Sequence, residues 1–402
     1  MKDKRRFLFI GVLLVAILVS GGILAAVQDA SAAGGTYVVL GWNNLGMHCY
    51  NNDFRDMAVL PPYNTLWVQV VKRGNPPTLV TQGIIVSYSF PGNTYSAGKT
   101  NFWKYVKPLF GVSLAPNVGL TGIGLRGNMK LATDHYVAEG IPLTEYNDNA
   151  PTTRQPYQLA SIVVKDAQTG RVLARQTVVA PVSSEMRCDG CHSNGGKANP
   201  TIETGRVATN ILTLHDKNEG TKLMSQRPVL CANCHGSNAL GMVGDPSLLN
   251  LSNAMHRKHS GAVPNTLNGC YNCHPGPTTR CLRDVMSTQE GMPCISCHGP
   301  MQKVARNATP WLAEPRCHSC HDQTLNNPLY RQSTGHAGLY CEACHDSTHA
   351  IAPSRNPRDG LKFVALQGSK GPLTECSVCH TIMQGDMQAD ARMSLHSTSG
   401  GK

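Results

Sequence analysis

Cys341-Glu342-Ala343-Cys344-His345 is one of seven Cys-x-x-Cys-His pentapeptides in a chain of 402 residues. The others are Cys188/Cys191/His192, Cys231/Cys234/His235, Cys270/Cys273/His274, Cys294/Cys297/His298, Cys317/Cys320/His321 and Cys376/Cys379/His380. Cysteine and histidine each account for 16 residues, so a shuffled chain would hold only about 0.03 such pentapeptides. Two residues between the thiols put both sulfurs on one helical turn, within reach of the two vinyl groups of one porphyrin. The next residue then turns its imidazole toward the iron from the same side. The spacing predicts seven covalent c-type haems (heme c), with the fourteen cysteines as thioether donors and the seven histidines as proximal ligands. Zinc also uses Cys-x-x-Cys pairs, but does not require a histidine after every second cysteine. A thioredoxin-like motif would be a single pair in a βαβ context.

Nine histidines remain for the opposite face of the iron: His48, His135, His215, His256, His259, His318, His336, His349 and His396. A haem that only carries electrons is best six-coordinate, and nine candidates suffice for seven sites. His256 and His259, three apart in Met-His-Arg-Lys-His, suit a helical turn serving two haems. His336 precedes Cys341 by five residues and His349 follows His345 by four, which suggests ligands for the fifth and sixth haems. His215 and His396 are further distal candidates. His318 lies inside its own motif and serves only a neighbouring haem. His48 is a weaker candidate, and His135 reads as a surface histidine. Met286 and Met301 stand nearest to motifs as methionine alternatives, which would raise a haem's potential. Cys49 and Cys281 are left over; a disulfide and two buried free thiols are both open readings.

The first residues place this chemistry outside the cytoplasm. Lys2, Lys4, Arg5 and Arg6 precede an apolar run from Phe7 to Val27, and Ala30-Ser-Ala-Ala33 follows. A basic start, an apolar stretch and an Ala-x-Ala site make a secretory signal peptide over residues 1–32. The run is long enough to be read alternatively as an uncleaved anchor. Export is common to both, with a periplasmic or cell-surface location.

Composition divides the remainder. Residues 34–182 hold three Trp, nine Tyr and four Phe. Thr65–Val71 and Ile84–Phe90 alternate as strands do, Pro61–Asn64 marks a turn, and Leu159–Lys165 and Arg171–Ala180 flank the hairpin signal Asp166-Ala-Gln-Thr-Gly170. Residues 183–402 carry only Trp311, Tyr271, Tyr330, Tyr340 and Phe363 as large aromatics, too few for a conventional core. The expected fold is mixed: an N-terminal antiparallel β-sandwich-like, haem-free domain, then a haem-packed domain of short helices and irregular loops that does not fold without its cofactor. About 31 residues per haem leave no protein to insulate one from the next. The formal charge of +11 is offset by roughly fourteen haem propionates, less about one positive charge per ferric centre. The basic residues therefore read as propionate partners, and nucleic acid is not expected as a partner.

These stretches resemble the multihaem c-type cytochromes of metal-respiring bacteria, outer-surface members included. The resemblance rests on Leu40-Gly-Trp-Asn-Asn-Leu-Gly-Met-His-Cys49, Arg227-Pro-Val-Leu-Cys-Ala-Asn-Cys-His235, Cys270-Tyr-Asn-Cys-His-Pro-Gly276 and Gly335-His-Ala-Gly-Leu-Tyr-Cys-Glu-Ala-Cys-His345. It implies bis-histidine haems and electron export to other redox proteins or to extracellular acceptors such as metal oxides. Some relatives polymerise into haem filaments in which a histidine of one subunit caps a haem of the next; His48 or His396 is the candidate here. The expected function is electron transfer without catalysis. The alternatives are a multihaem reductase of a small nitrogen or sulfur oxyanion, with one open iron, and a filament subunit, whether as a homopolymer or in a membrane-associated complex.

Overall fold

The structure is a computed structural model that describes residues 35–201, 204–307, 315–317, 320–321, 326–327 and 329–381. The expected signal peptide or anchor, His318 and His396 lie outside the described residues. Strands and helices are mixed. The strands before the first motif are β1 (Tyr37–Asn43), β2 (His48–Cys49), β3 (Met57–Ala58), β4 (Thr65–Lys72), β5 (Thr78–Leu79), β6 (Ile84–Ser89), β7 (Arg126–Asn128), β8 (Lys130–Leu131), β9 (Tyr136–Glu139), β10 (Tyr146–Asn147), β11 (Ala150–Arg154), β12 (Tyr157–Asp166) and β13 (Val172–Ser183). Beyond them, among the described residues, come only the short strands β14 (Val229–Leu230), β15 (His235–Ser237) and β16 (Met242–Gly244).

The helices are α1 (Phe102–Phe110), α2 (Val207–Glu219), α3 (Leu251–His259), α4 (Leu267–Cys270), α5 (Val285–Gln289), α6 (Cys294–His298), α7 (Met301–Val304), α8 (Cys341–His345) and α9 (Leu361–Gln367). Among the described residues no helix is long and apolar enough to cross a membrane.

Two five-stranded sheets dominate the first half. One runs β1-β4-β9-β8 with β5 also on β4; the other runs β2-β13-β12-β6-β7. Their facing sides share one core, with Val39, Leu66, Val68 and Val70 from the first meeting Val86, Tyr88, Ile162, Val164, Val178 and Ala180 from the second. Gly41 lets β1 come this close to β13, since a Cβ there would stand 2.5 Å from the Val178 side chain. The β12–β13 hairpin closes where its sequence signals a turn: Asp166 Oδ1 accepts the backbone N–H of Gln168 and Thr169, and Gly170 takes φ +71°.

Within this β-rich stretch α1 is a helix that alternation alone does not anticipate. Phe102, Val106 and Leu109 are its buried residues, and Gly111 ends it with φ 72° and its N–H on the Lys107 carbonyl. The spacing i, i+4, i+7 followed by glycine is the helical signature, masked by aromatic and β-branched residues that otherwise favour strands.

The outer face of the first sheet is covered by the second half of the chain. Val38, Leu40, Trp42 and Val71 pack with Ala343, Leu366 and Val378. Trp42 is wholly buried and donates its indole N–H to Glu342 Oε2 at 2.8 Å. Burying such a side chain contributes about 1.5–3 kcal/mol. Gln69 donates to the Gly338 carbonyl and accepts from the Tyr340 N–H. On the opposite flank, β3 pairs in parallel with β14, and buried Asp56 binds Arg206 and Arg227 at 2.7 and 3.0 Å. Residue 183 is therefore a boundary in composition but not in packing.

Candidate functional site

Each thiol-pair motif closes one tight turn. The histidine N–H returns to the carbonyl of the first cysteine in Cys188–His192, Cys270–His274, Cys317–His321 and Cys376–His380, at 2.8 to 3.0 Å. Cys294–His298 and Cys341–His345 are helices α6 and α8 outright. The first cysteine accepts from the second across the turn in Cys231–Cys234 as well. Both sulfurs thus leave the same turn, as bridging one flat ring requires.

Five motif histidines each face a histidine from elsewhere in the chain. The ring centres are 6.2 Å apart for His192 and His259, 6.3 Å for His235 and His215, and 6.0 Å for His274 and His256. They are 6.1 Å apart both for His298 and His349 and for His380 and His336. A metal–imidazole bond is about 2 Å and the ring centre lies about 1.1 Å further on, so two imidazoles on opposite sides of one ion stand about 6 Å apart. A single pair at this spacing would pass as an ordinary aromatic contact. Five pairs, each with one motif member and all within 0.3 Å of one another, fit axial ligation. Among the described residues no three of His, Cys, Asp and Glu converge on one small ion, which is what a zinc site would need.

The ring nitrogens are poised alike. Nδ1 of His192 bonds Asn210 Oδ1 at 3.1 Å, and Nδ1 of His215 bonds Thr221 Oγ1 at 2.9 Å. That hydroxyl in turn donates to Asp216. Nδ1 of His235, His256 and His259 donates to the carbonyls of Leu249, Ser252 and Met255 at 2.7 to 2.8 Å. Carbonyl and amide oxygens only accept, so Nδ1 carries the proton and Nε2 keeps its lone pair for a metal. Burial first, and neighbouring imidazoles second, push His274 down to about 4 and His349 to about 3. Both are neutral at pH 7, as ligation demands. Burial also pushes the thiols of Cys231, Cys273, Cys341, Cys344 and Cys379 up to about 11.

Helix α3 organises two pairs at once. Asn250 caps it by accepting the Asn253 N–H, and the buried Asn253 amide ties it to the carbonyls of Ala305 and Asn307. His256 and His259, one turn apart, face the third and the first motif respectively. Thiols of neighbouring motifs also lie within range of one another's charge. Cys231 lies in the field of Cys188, Cys273 in that of Cys188 and Cys191, Cys294 against Cys270, Cys297 near Cys320, Cys341 near Cys317 and Cys344 near Cys379. These interactions link the motifs in the order second, first, third, fourth, fifth, sixth, seventh.

His336 and His349 do not serve the motifs nearest them in sequence. They face the seventh and fourth motifs. A motif turn that held a flat ring would present its own imidazole to one side, and a histidine from another element would have to meet the other side. His349 adopts φ +66°, a left-handed conformation that costs a non-glycine residue energy, and its carbonyl accepts the Arg283 N–H. His318 and His396 lie outside the described residues, and His321 and His345 are left unassigned.

His48 and His135 stand apart from all five pairs. His48 is buried, spends Nε2 on Asn44 Oδ1 at 3.1 Å and stacks on Tyr63. His135 is not a surface residue: it packs between Trp67 at 4.2 Å and Tyr340 at 5.0 Å and bonds Asp134. Its sequence neighbourhood did not reveal that Tyr340, from the second half of the chain, covers it. In the five pairs the facing position is held by histidine, so Met286 on α5 and Met301 on α7 have no such place there. Cys49 and Cys281 carry no bond to each other in this structure, like the fourteen motif cysteines.

Comparison of the chain with protein-family models, with curated proteins and with solved structures gave no match.

Proposed function

We propose that the chain carries seven covalent c-type haems and passes electrons along them without a substrate reaction of its own. The observation that carries this reading is the five facing histidine pairs, each joining a Cys-x-x-Cys-His imidazole to one from a different element at 6.0 to 6.3 Å. Bound haem would supply a one-electron iron couple at each motif. The chain supplies the rest. Nδ1 acceptors fix ring orientation, burial lowers the pKa of His192, His274, His298, His349 and His380 and so favours their neutral form, and α3 sets two sites a single turn apart.

The scarcity of buried apolar side chains after residue 183 supports the same reading. Leu248, Leu249 and Met255 stand exposed beside the second motif, where a porphyrin face would cover them. The architecture that follows is a haem-free sandwich of two sheets with a haem-packed region laid over it. Charge would move in the spatial order of the motifs, so the second and seventh sites are its two ends. The resemblance to cytochromes of metal-respiring bacteria favours an exported protein that hands electrons to redox partners or extracellular acceptors. The reductase alternative needs a motif histidine that faces no ligand, whereas five of the seven face one.

The test is the mass and spectrum of the mature protein. Seven haems bound covalently, with low-spin ferric signals, support the proposal. A colourless product with the mass of bare polypeptide overturns it, and a high-spin ferric signal in the isolated protein moves the reading to the reductase.

A further inference from the structure

Cys49 and Cys281 are the two cysteines outside the motifs, 232 residues apart in the chain, and the fold brings their backbones together. The parallel register of β2 on β13 sets Cys49 beside Ser183. The Ser183 hydroxyl meets that of Thr279 at 2.8 Å, and the Tyr157 hydroxyl donates to the Thr279 carbonyl. Glu185 takes the backbone N–H groups of Thr278 and Thr279 at 3.0 and 2.7 Å. Two residues on, the buried Arg283 guanidinium donates to the Cys281 carbonyl at 2.9 Å and to the Gly46 carbonyl at 3.0 Å. One side chain thus holds both cysteine-bearing segments. Burial dominates at Cys49, and the strongest charge interaction on its thiol comes from Cys281.

We propose that Cys49 and Cys281 are joined by a disulfide in the mature protein, tying β2 to the segment after the third motif. The bond forms by exchange with the disulfide of an extracytoplasmic dithiol oxidase. One cysteine thiolate attacks that disulfide to give a mixed disulfide and one oxidase thiol. The second cysteine then displaces the other oxidase sulfur, so two thiols of this chain are oxidised while one disulfide of the oxidase is reduced to its dithiol. Burial pushes the Cys281 thiol up to about 11, leaving little thiolate once the segments have docked. Once formed, the buried bond is shielded from reductants. The inference rests on the haem reading only in that thioethers remove the other fourteen thiols from exchange.

Thiol counting on the holoprotein tests it. The protein is denatured with iodoacetamide present, with and without prior reduction, and its peptides are mapped. No alkylation before reduction, two alkyl groups after it and a Cys49–Cys281 cross-linked peptide are expected. Alkylation of both residues without reduction overturns the proposal, as does a bridge from either cysteine to a second copy. Sixteen alkyl groups after reduction mean instead that the haem reading has failed, and the cross-linked peptide still decides the disulfide separately.

Discussion

The His336 ring faces that of His380 at 6.1 Å, although His336 stands only five residues before Cys341. Two motifs adjacent in sequence are thereby laced together, the loop leading into the sixth motif reaching across to the seventh. This gives a sharp expectation. His336→Ala should leave one haem in seven high-spin by electron paramagnetic resonance. The new signal should vanish when Cys376 and Cys379 are also replaced by alanine, and persist when Cys341 and Cys344 are replaced instead. Persistence in the first background would show that His336 serves another site.

Asn210 on α2 receives the Nδ1 proton of His192, and its own amide nitrogen is buried without a hydrogen-bond partner. On the proposed function Asn210 is a positioning residue, whose acceptor would make the imidazole a better donor to a haem iron. Asn210→Ala removes a hydrogen bond worth about 1 kcal/mol, or about 40 mV for a one-electron couple. One of the seven potentials should rise by that amount, and Asn210→Asp should move the same potential down. Spectroelectrochemical titration reads both, and unchanged potentials would leave Asn210 a merely structural residue.

Arg283 and Asp359 form an ion pair at 2.7 Å with both side chains almost wholly buried. Removing one member strands the other charge, which costs about 3–5 kcal/mol. Arg283→Met should lower the urea midpoint accordingly, and it also releases the carbonyls of Gly46 and Cys281. The double variant with Asp359→Leu should recover part of the loss. A double variant no more stable than Arg283→Met would mean that the backbone contacts, not the ion pair, carry the effect.

Burial holds the His48 imidazole down to about 3 from an ordinary 6.5. As pH falls through about 6.5 the unfolded chain binds this proton while the folded chain does not, until about pH 3. Stability is therefore lost as pH falls through that window, by about 1.4 kcal/mol per unit from this group. His48→Gln should flatten the dependence of the urea midpoint between about pH 6.5 and about pH 4 and leave the haem spectrum unchanged. A new high-spin signal would instead make His48 a ligand.

Local chemistry was legible wherever it lies within a few residues. Asp166 to Gly170 announces its hairpin because the turn is closed by its own side chain and glycine. The Cys-x-x-Cys-His turns are likewise self-contained, five residues carrying both sulfurs and the imidazole. The α1 helix was less legible, because Phe102, Val106 and Leu109 are residues that strands also favour. On β4 alternation marked a strand, but not that Gly338 and Tyr340 bond Gln69 or that Ala343 and Val378 share a core with Val71.

By itself the sequence determined which thiols are paired and which imidazole accompanies each pair, because those relationships are set along a single five-residue turn. Only the tertiary structure decided which distant histidine faces which motif, that the order in space begins second, first, third, and that His135 is walled in by Trp67 and Tyr340. The physical reason is that an opposing ligand must come from across a gap of about 6 Å. Which element spans that gap depends on how the whole chain packs, not on how near the histidine lies in sequence.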